Sequence, residues 1–195
     1  MSHYHSKYPI SYQLITIISI LFKEYTLKKI GLISDTHSYL DETVFEHFKN
    51  CDEVWHAGDV GTASIIEQLE AFKPTRIVFG NIDGHEVKAR SVENLHFELE
   101  GFRIWITHIG GAPPRYKPAI KQALKLNTTD IFVCGHSHIL KVMRDPALAN
   151  MLYINPGAAG KEGFHHMRTL LRFTLDSGAI KDMEVVELGK RGTIQ

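Results

Sequence analysis

An apolar run that ends in polar residues stands near the start of the chain: Lys29-Ile30-Gly31-Leu32-Ile33-Ser34-Asp35-Thr36-His37. The run predicts a buried strand, and an aspartate and a histidine follow where it ends. Four later runs break in the same way, at Gly58-Asp59, Gly80-Asn81, Thr107-His108 and Gly135-His136-Ser137-His138. Strand ends that share one edge of a sheet bring distant residues together, so we expect one polar cluster there.

The five apolar runs cover residues 29–33, 53–55, 76–79, 103–106 and 130–134. Side chains of a strand alternate between its two faces. Asp35 and His37 should therefore point the same way if the first strand extends that far, and so should His136 and His138.

The side chains at these breaks carry oxygen and imidazole donors: Asp35, His37, Asp59, Asn81, His108, His136 and His138. A single such pair is usually solvated polar surface, and Gly-Asp is usually a turn. The series of five breaks instead favours a metal centre, because these donors suit divalent transition metals and suffice for two ions. No Ser-His-Asp or Cys-His arrangement competes for a nucleophilic role.

Composition predicts one globular domain. The chain has 195 residues, 44% apolar and 23% charged, with 22 basic and 22 acidic residues. This balance, without a long basic run, predicts no extended nucleic-acid surface and favours a small or locally gripped substrate. Cys51 and Cys134 lie in or beside apolar segments, so we expect free buried thiols and a reducing, cytoplasmic compartment.

We expect residues 1–27 to be an N-terminal arm or an over-long start and residues 28–195 to form the domain. The apolar run at 14–22 is too short to span a bilayer, and no small-residue cleavage site follows it. We therefore predict no membrane span. A peripheral membrane anchor is the alternative for this arm.

The remaining pattern predicts helices and hairpins around the strands. Asp41 should cap a helix at 41–48, Thr62 should cap another that Pro74 stops, and residues 118–126 should form a third. Glu100-Gly101 and 176–178 read as hairpin turns. An α/β start followed by antiparallel strands predicts a two-sheet sandwich with outer helices.

At these residues the chain resembles the calcineurin-like metallophosphoesterase superfamily, and within it the YfcE-type phosphodiesterase branch. The resemblance runs from about Lys28 to Leu188 and includes the turn Asn155-Pro156-Gly157. It implies an α/β (α+β) fold of two packed mixed β-sheets flanked by helices, a four-layer αββα metallophosphoesterase sandwich. It also implies a hydrolase of phosphoric ester bonds.

The resemblance implies a ligand set for two divalent ions drawn from Mn, Ni, Fe, Co or Zn, with Mn favoured. Asp35, His37 and His138 would hold one ion. Asn81, His108 and His136 would hold the other. Asp59 would bridge both, and Asp59, Asn81 and His108 would serve catalysis. A water or hydroxide between the ions would attack the phosphorus of a small phosphodiester.

Two departures from the family pattern bear on substrate contacts. Many relatives have a histidine after the asparagine, where this chain has Ile82, so Asp83, which would support it, should be structural. The loop at 109–114 is also longer and more rigid than expected. His56 is a candidate donor to Asp59, with core packing as the alternative, and His85, His165 and His166 are candidate acids in loops.

Alternatives remain open at this stage. A phosphomonoesterase would need extra cations around the phosphate, which Arg115 and Lys161 could supply. A non-catalytic scaffold is the other alternative, because a retromer subunit of the same fold acts in protein interactions. All seven ligand positions keep coordinating residue types, which favours the enzyme. The oligomeric state is open, and a homo-oligomer is compatible with the sequence.

Overall fold

The computed structural model describes residues 26–192. The predictions for the N-terminal arm therefore fall, over residues 1–25, outside the described residues. Within the described range, no helix has the length and apolar content needed to cross a membrane.

The elements are as follows in chain order. The first part contains β1 (Lys28–Ile33), α1 (Thr43–Phe48), β2 (Glu53–His56), α2 (Ala63–Phe72), β3 (Thr75–Ile77) and α3 (His85–Lys88). The middle contains β4 (Asn94–Leu99), β5 (Phe102–Thr107), β6 (Gly111–Ala112), β7 (Arg115–Tyr116) and α4 (Pro118–Leu126). The last part contains β8 (Ile131–Val133), β9 (Lys141–Asp145), the 3₁₀ turn Pro146–Leu148, β10 (Met151–Asn155), β11 (Met167–Asp176) and β12 (Ala179–Lys190).

The first sheet has the strand order β12-β11-β1-β2-β3. The strands β1, β2 and β3 are parallel, with α1 and α2 in the connections, which confirms the predicted βαβ pattern. The hairpin of β11 and β12 joins β1 in antiparallel register. Parallel strands place their carboxyl ends on one edge, and that edge carries the first two polar breaks.

The second sheet has the order β4-β5-β8-β10-β9. The predicted hairpin of β4 and β5 is confirmed. The sheet is mixed, as the fold prediction has it: β4 and β9 are antiparallel to their neighbours, whereas β5, β8 and β10 are parallel and depart from the antiparallel run expected in the later part of the chain. Helix α4 lies between β5 and β8 in the chain, and this crossover lets β8 run in the same direction as β5.

The two sheets pack face to face, with helices outside. Trp55, Ile106 and Val133 belong to the core between the sheets. Phe48 and Leu69 cover the outer face of the first sheet from α1 and α2, while Leu124 of α4 belongs to the core on the second sheet. Each fully buried aliphatic or aromatic side chain contributes about 1.5–3 kcal/mol. This is the predicted four-layer αββα sandwich.

The predicted helix starts need small adjustments. Helix α1 begins at Thr43, and Asp41 accepts hydrogen bonds from the backbone nitrogen and hydroxyl of that residue at 3.0 and 2.7 Å. Thr62 precedes α2, but its side chain makes no capping hydrogen bond. Cys51 and Cys134 are both buried and free, as predicted.

Candidate metal centre

The polar breaks converge at the carboxyl ends of strands from both sheets. The loops after β1 and β2 run side by side, because the Asp35 nitrogen donates to Gly58 O at 2.9 Å and the His37 nitrogen to Asp59 O at 3.0 Å. The second sheet joins them where the His136 nitrogen donates to both carboxylate oxygens of Asp35 at 3.2 Å. The cluster therefore lies across the two sheets, and the expectation of one sheet edge was wrong.

Backbone conformation, not strand alternation, aims these side chains. Strand β1 ends at Ile33 and β8 at Val133, so neither reaches the ligand pairs. Asp35, His37, Asp59, His136 and His138 all have φ between 47° and 65°. A non-glycine residue in this left-handed region costs on the order of 1–3 kcal/mol, and such strain clusters at functional sites. The alternation argument for the two pairs was therefore wrong, although the pairs do reach one cluster.

The first ligand group combines Asp35, His37 and His138, with one donor atom of each within 4.8 Å of the others. His138 Nε2 lies 3.1 Å from Asp35 Oδ1 and 3.3 Å from His37 Nε2. Two ligands on a cation at about 2.1 Å stand roughly 3 Å apart at a right angle, so this spacing suits one ion.

The second ligand group combines Asp59, His108 and His136 within the same 4.8 Å limit. His108 Nε2 lies 3.2 Å from Asp59 Oδ2. The same Asp59 oxygen lies 3.6 Å from His37 Nε2 of the first group. One carboxylate oxygen thus faces a histidine from each group, as a bridging ligand must.

His108 shows that this arrangement fits a cation. Its Nδ1 lies 2.8 Å from Ala57 O, which can only accept, so Nδ1 carries the hydrogen. The Nε2 atom is buried with no hydrogen-bond partner. In the neutral ring this nitrogen is a lone pair facing a carboxylate oxygen, and two acceptors at that distance need a cation between them.

The pKa shifts of His108 and Asp59 also indicate that a positive charge is favoured between these two side chains. Burial lowers the pKa of His108, but the close approach of the Asp59 carboxylate and the charge of Asp35 outweigh it, and the pKa rises. Burial raises the pKa of Asp59, yet the His108 contact outweighs it and the pKa falls. Both shifts favour a positive charge between His108 and Asp59.

The loop that carries Asn81 packs against Asp59 and His108 of the second group. Gly80 packs so closely that a Cβ there would collide with Asp59 Oδ1 and come within 2.7 Å of the His108 ring. On the other side, the Ile82 nitrogen donates to Asp59 Oδ1 at 3.1 Å. The loop therefore wraps Asp59 with Asn81 at its centre, and the Ile82 side chain remains exposed.

His56 supports the loops rather than Asp59. Its Nε2 lies 2.9 Å from Thr36 Oγ1, and its Nδ1 accepts from the Gly58 nitrogen at 3.2 Å. Burial lowers the pKa of His56 to about 4, so the ring is neutral. His56 was a candidate donor to Asp59, but both of its ring nitrogens contact the turns that hold Asp35 and Asp59 instead of the Asp59 carboxylate.

Asp83 is a structural clamp. It is buried, and Oδ2 accepts from the Gly80 nitrogen at 2.7 Å and from the Val60 nitrogen at 3.1 Å. Its Oδ1 accepts from the Gly61 nitrogen at 2.7 Å. These bonds tie the loop of Asp59 to the loop of Asn81, in keeping with the structural role predicted for Asp83.

Other candidates are not in contact with the ligand groups. His85, Arg115, Lys161 and His166 are exposed, and within residues 26–192 no hydrogen bond or ion pair joins their side chains to a ligand. Lys161 instead has its Nζ 3.9 Å from the centre of the Tyr39 ring. The 109–114 loop contains the small hairpin of β6 and β7, with a cis bond between Pro113 and Pro114.

Asn155 and His165 support the ligand residues in ways that the sequence did not predict. Asn155 Nδ2 donates to Gly135 O at 2.8 Å and to Ser137 Oγ at 3.1 Å, which fixes the turn carrying His136 and His138. His165 contacts the far side of His138, with the two Nδ1 atoms 3.3 Å apart. The Asn155-Pro156-Gly157 turn was a signal for the first, whereas nothing in the sequence separates His165 from its neighbour His166.

A cavity of about 310 Å³ adjoins the second ligand group. Asn81 and His108 form its metal-facing side, and Phe79, Ile109 and Ile120 supply apolar walls. A group esterified to a phosphate held at the ligands would have space here.

Comparison with known proteins agrees with this geometry. Residues 29–178 match the model of the calcineurin-like phosphoesterase superfamily domain. A probable metallophosphoesterase from Methanothermobacter thermautotrophicus is 34% identical over 135 residues, which cover 66% of this chain and 76% of the relative. A phosphodiesterase from Methanocaldococcus jannaschii is 28% identical over 145 residues, covering 66% and 82%.

A solved structure shows the fold at lower identity. Vps29 from Entamoeba histolytica, complexed with zinc, has a TM-score of 0.59 and 18% identity, covering 82% of this chain and 98% of its own. The family model and the relatives show that the chain belongs to the calcineurin-like phosphoesterase superfamily as a metal-dependent phosphoesterase.

Proposed function

We propose that this protein hydrolyses small phosphodiesters with two divalent cations. Mn²⁺ is the favoured metal among the transition metals. The observation that carries the proposal is the Asp59 Oδ2 atom, which faces His108 Nε2 at 3.2 Å and His37 Nε2 at 3.6 Å. A carboxylate oxygen shared by two imidazoles from different loops is what a bridged pair of cations requires.

The two ligand groups would each hold one cation, joined through Asp59. Asp35, His37 and His138 form one set, and Asn81, His108 and His136 form the other. Such ions lower the pKa of water toward 7 and neutralise the phosphate oxygens as charge develops. Asn81 offers a neutral oxygen, so the second position stays more electrophilic than a further carboxylate would leave it.

The residues around the ligands fix their orientation. Ala57 O holds His108 in the tautomer whose Nε2 lone pair faces inward. The Ile82 nitrogen donates to Asp59 Oδ1 and so leaves Oδ2 turned toward both groups. Mutation of a residue that hydrogen-bonds to a metal ligand typically lowers metal affinity or activity roughly 10–100-fold.

A diester suits the charge of the site better than a monoester. A monoester carries about one more negative charge near neutral pH than a diester does. Within residues 26–192, no hydrogen bond or ion pair joins an arginine or a lysine to the ligand groups, and Lys161 lies over Tyr39. The cavity beside Asn81 and His108, which Lys88 and Glu93 also line, would hold the esterified group.

The name of the Methanocaldococcus relative, a phosphodiesterase, supports the same substrate class. Vps29, which has the same fold, is complexed with zinc in its solved structure, and a metal assay reports binding rather than hydrolysis. A substrate assay, not a metal assay, therefore separates the enzyme from a protein-interaction scaffold.

The wider setting is also part of the proposal. Residues 28–195 would form the catalytic domain, with residues 1–27 dispensable for a soluble substrate. Two free buried cysteines are consistent with a cytoplasmic location. A small phosphoester is the proposed partner, with no extended nucleic-acid surface.

The test is a substrate panel on Mn²⁺-reconstituted protein. We expect bis(p-nitrophenyl) phosphate to be hydrolysed faster than p-nitrophenyl phosphate, with cyclic nucleotides included as natural diesters. Asp59→Ala should lose more activity than any other single ligand substitution, because Asp59 serves both ions. A faster monoester would make the protein a phosphomonoesterase, and bound metal with no hydrolysis at all would support the scaffold.

A further inference from the structure

His165 lies behind a residue of the first ligand group. Its Nδ1 is 3.3 Å from Nδ1 of His138, and the rings meet edge to face with centroids 5.2 Å apart. The other ring nitrogen of His138, Nε2, points to Asp35 Oδ1 at 3.1 Å. His138 therefore has one nitrogen toward the candidate cation and one toward His165.

The contact of His165 with the Gly160 carbonyl shows which ring nitrogens of His165 and His138 carry hydrogens. His165 Nε2 lies 3.1 Å from Gly160 O, which can only accept, so Nε2 carries the hydrogen. In the neutral ring, His165 Nδ1 is then an acceptor. A hydrogen bond between the two Nδ1 atoms requires His138 to donate from Nδ1, which leaves His138 Nε2 as a lone pair.

The series of hydrogen bonds from Gly160 O through His165 to His138 begins at the loop that also contacts Asp35. The Gly160 nitrogen donates to Asp35 O at 3.0 Å, while the Gly160 carbonyl accepts from His165. Gly163 has φ of 111° and packs so tightly that a Cβ there would collide with His138 Nδ1. One loop thus contacts both Asp35 and His138, and His165 completes the link between them.

We propose that His165 is the positioning residue of His138: it fixes the tautomer and ring orientation that present Nε2 to the first cation. The proposal rests on the proposed function, because it assigns the first ligand group to a metal. Metal-ligating histidines commonly donate their second N–H to a carboxylate or a carbonyl. Here a second histidine, held by Gly160 O, takes that place.

Two near-isosteric variants separate the two hydrogen bonds of His165, one with His138 and one with Gly160. His165→Asn places an amide oxygen where Nδ1 stands, so it keeps the acceptor for His138. His165→Gln reaches the position of Nε2, so it keeps the donor to Gly160 but not that acceptor. His165→Leu removes both, and His166→Leu is the matched control because its exposed side chain makes no contact with the ligand groups within residues 26–192.

The readout is calorimetric titration of metal-free protein with Mn²⁺, with the melting temperature of each metal-free variant beside it. We expect His165→Leu and His165→Gln to weaken one of the two binding events by about 10–100-fold and to leave the other unchanged. His165→Asn should bind close to wild type, as should His166→Leu. In Co²⁺-loaded protein, the visible absorption of only one ion should change in the Leu and Gln variants.

Three results would overturn the proposal. If Asn and Gln variants bind Mn²⁺ alike, the acceptor for His138 is not what matters. If both binding events weaken together, His165 acts on the loop as a whole. If the wild type binds two ions and hydrolyses diesters while His165→Leu binds them equally well, the proposed function stands and the role of His165 does not.

Discussion

His108 Nε2 lies 3.2 Å from Asp59 Oδ2, buried and without a hydrogen-bond partner, while its Nδ1 is committed to Ala57 O. A neutral imidazole in this position would face a carboxylate with a lone pair. The pair therefore binds either a proton or a cation, and this competition governs the chemistry of the centre.

Metal binding should release a proton from His108 at pH values below its raised pKa. Because Asp59 and Asp35 raise its pKa, His108 is charged in metal-free protein below that raised value and must lose the proton to bind. Calorimetric titration with Mn²⁺ in two buffers of different ionisation enthalpy measures this release. The number of protons released should decrease as the pH rises through the His108 pKa. Metal binding without proton release at pH 6 would contradict a competition between proton and metal at His108.

Ile82→His should add a leaving-group acid. Isoleucine has no donor, so the wild type should prefer activated aryl diesters over alkyl ones. A positioned acid contributes about 10²–10⁴-fold, and a grafted one should recover part of this for alkyl esters but little for aryl esters. The ratio of kcat/KM values for an alkyl and an aryl diester measures the effect.

Ile82→Asn is the control, since it is polar but not titratable. An equal rise for both substrates in Ile82→His would mean that the histidine acts on binding rather than on the leaving group. Wild-type protein that cleaves alkyl and aryl diesters equally fast would mean that another acid already serves.

Asp83→Asn and Asn81→Ala should have opposite effects. An amide at residue 83 replaces one of the two carboxylate oxygens that accept from Gly80, Val60 and Gly61, and a buried unsatisfied donor costs about 1–3 kcal/mol. We therefore expect a lower melting temperature with turnover largely retained. Asn81→Ala should keep the melting temperature and lose turnover, and the reverse pattern would exchange the two roles.

His56 should make the metal-free protein less stable in acid. Its pKa in the folded protein is about 4 against an ordinary value of 6.5, so the unfolded state binds the proton first as the pH falls. Burial dominates this shift, although the charges of Asp83, Asp35 and Asp59 oppose it. Stability should fall by up to about 3 kcal/mol between pH 6.5 and 4.

Denaturant unfolding at several pH values measures this dependence. His56→Gln does not titrate and can still donate toward Thr36, so its stability should change less over the same range. An equal slope in wild type and variant would assign the acid sensitivity to other groups.

Much of the fold could be predicted from the sequence because apolar spacing and turn residues indicate each helix, strand and hairpin from neighbouring residues. The βαβ order up to β3, the β4–β5 hairpin and helix α4 at Pro118–Leu126 were all predicted from apolar spacing and turn residues. The parallel pairing of β5, β8 and β10 was not, since short buried strands carry no mark of direction.

The candidate site was predicted as a set of residues but not as a geometry. Left-handed backbone at Asp35 and His136 carries only a weak sequence signal, because aspartate and histidine are enriched in this region but adopt it in few of their occurrences. Strand alternation was therefore the wrong guide. The partner of His138 was also hidden, because contact with His165 depends on how the Gly160–Gly163 loop closes. His56 was expected beside Asp59 and instead bonds to Thr36 and Gly58.

The most direct test of the central claim is electron paramagnetic resonance of protein loaded with two equivalents of Mn²⁺. Ions about 3.5–4 Å apart and bridged by Asp59 should give the signal of a spin-coupled pair. Asp59→Ala should abolish that coupling. Isolated Mn²⁺ signals in the wild type, or no bound Mn²⁺, would contradict a bridged two-metal centre.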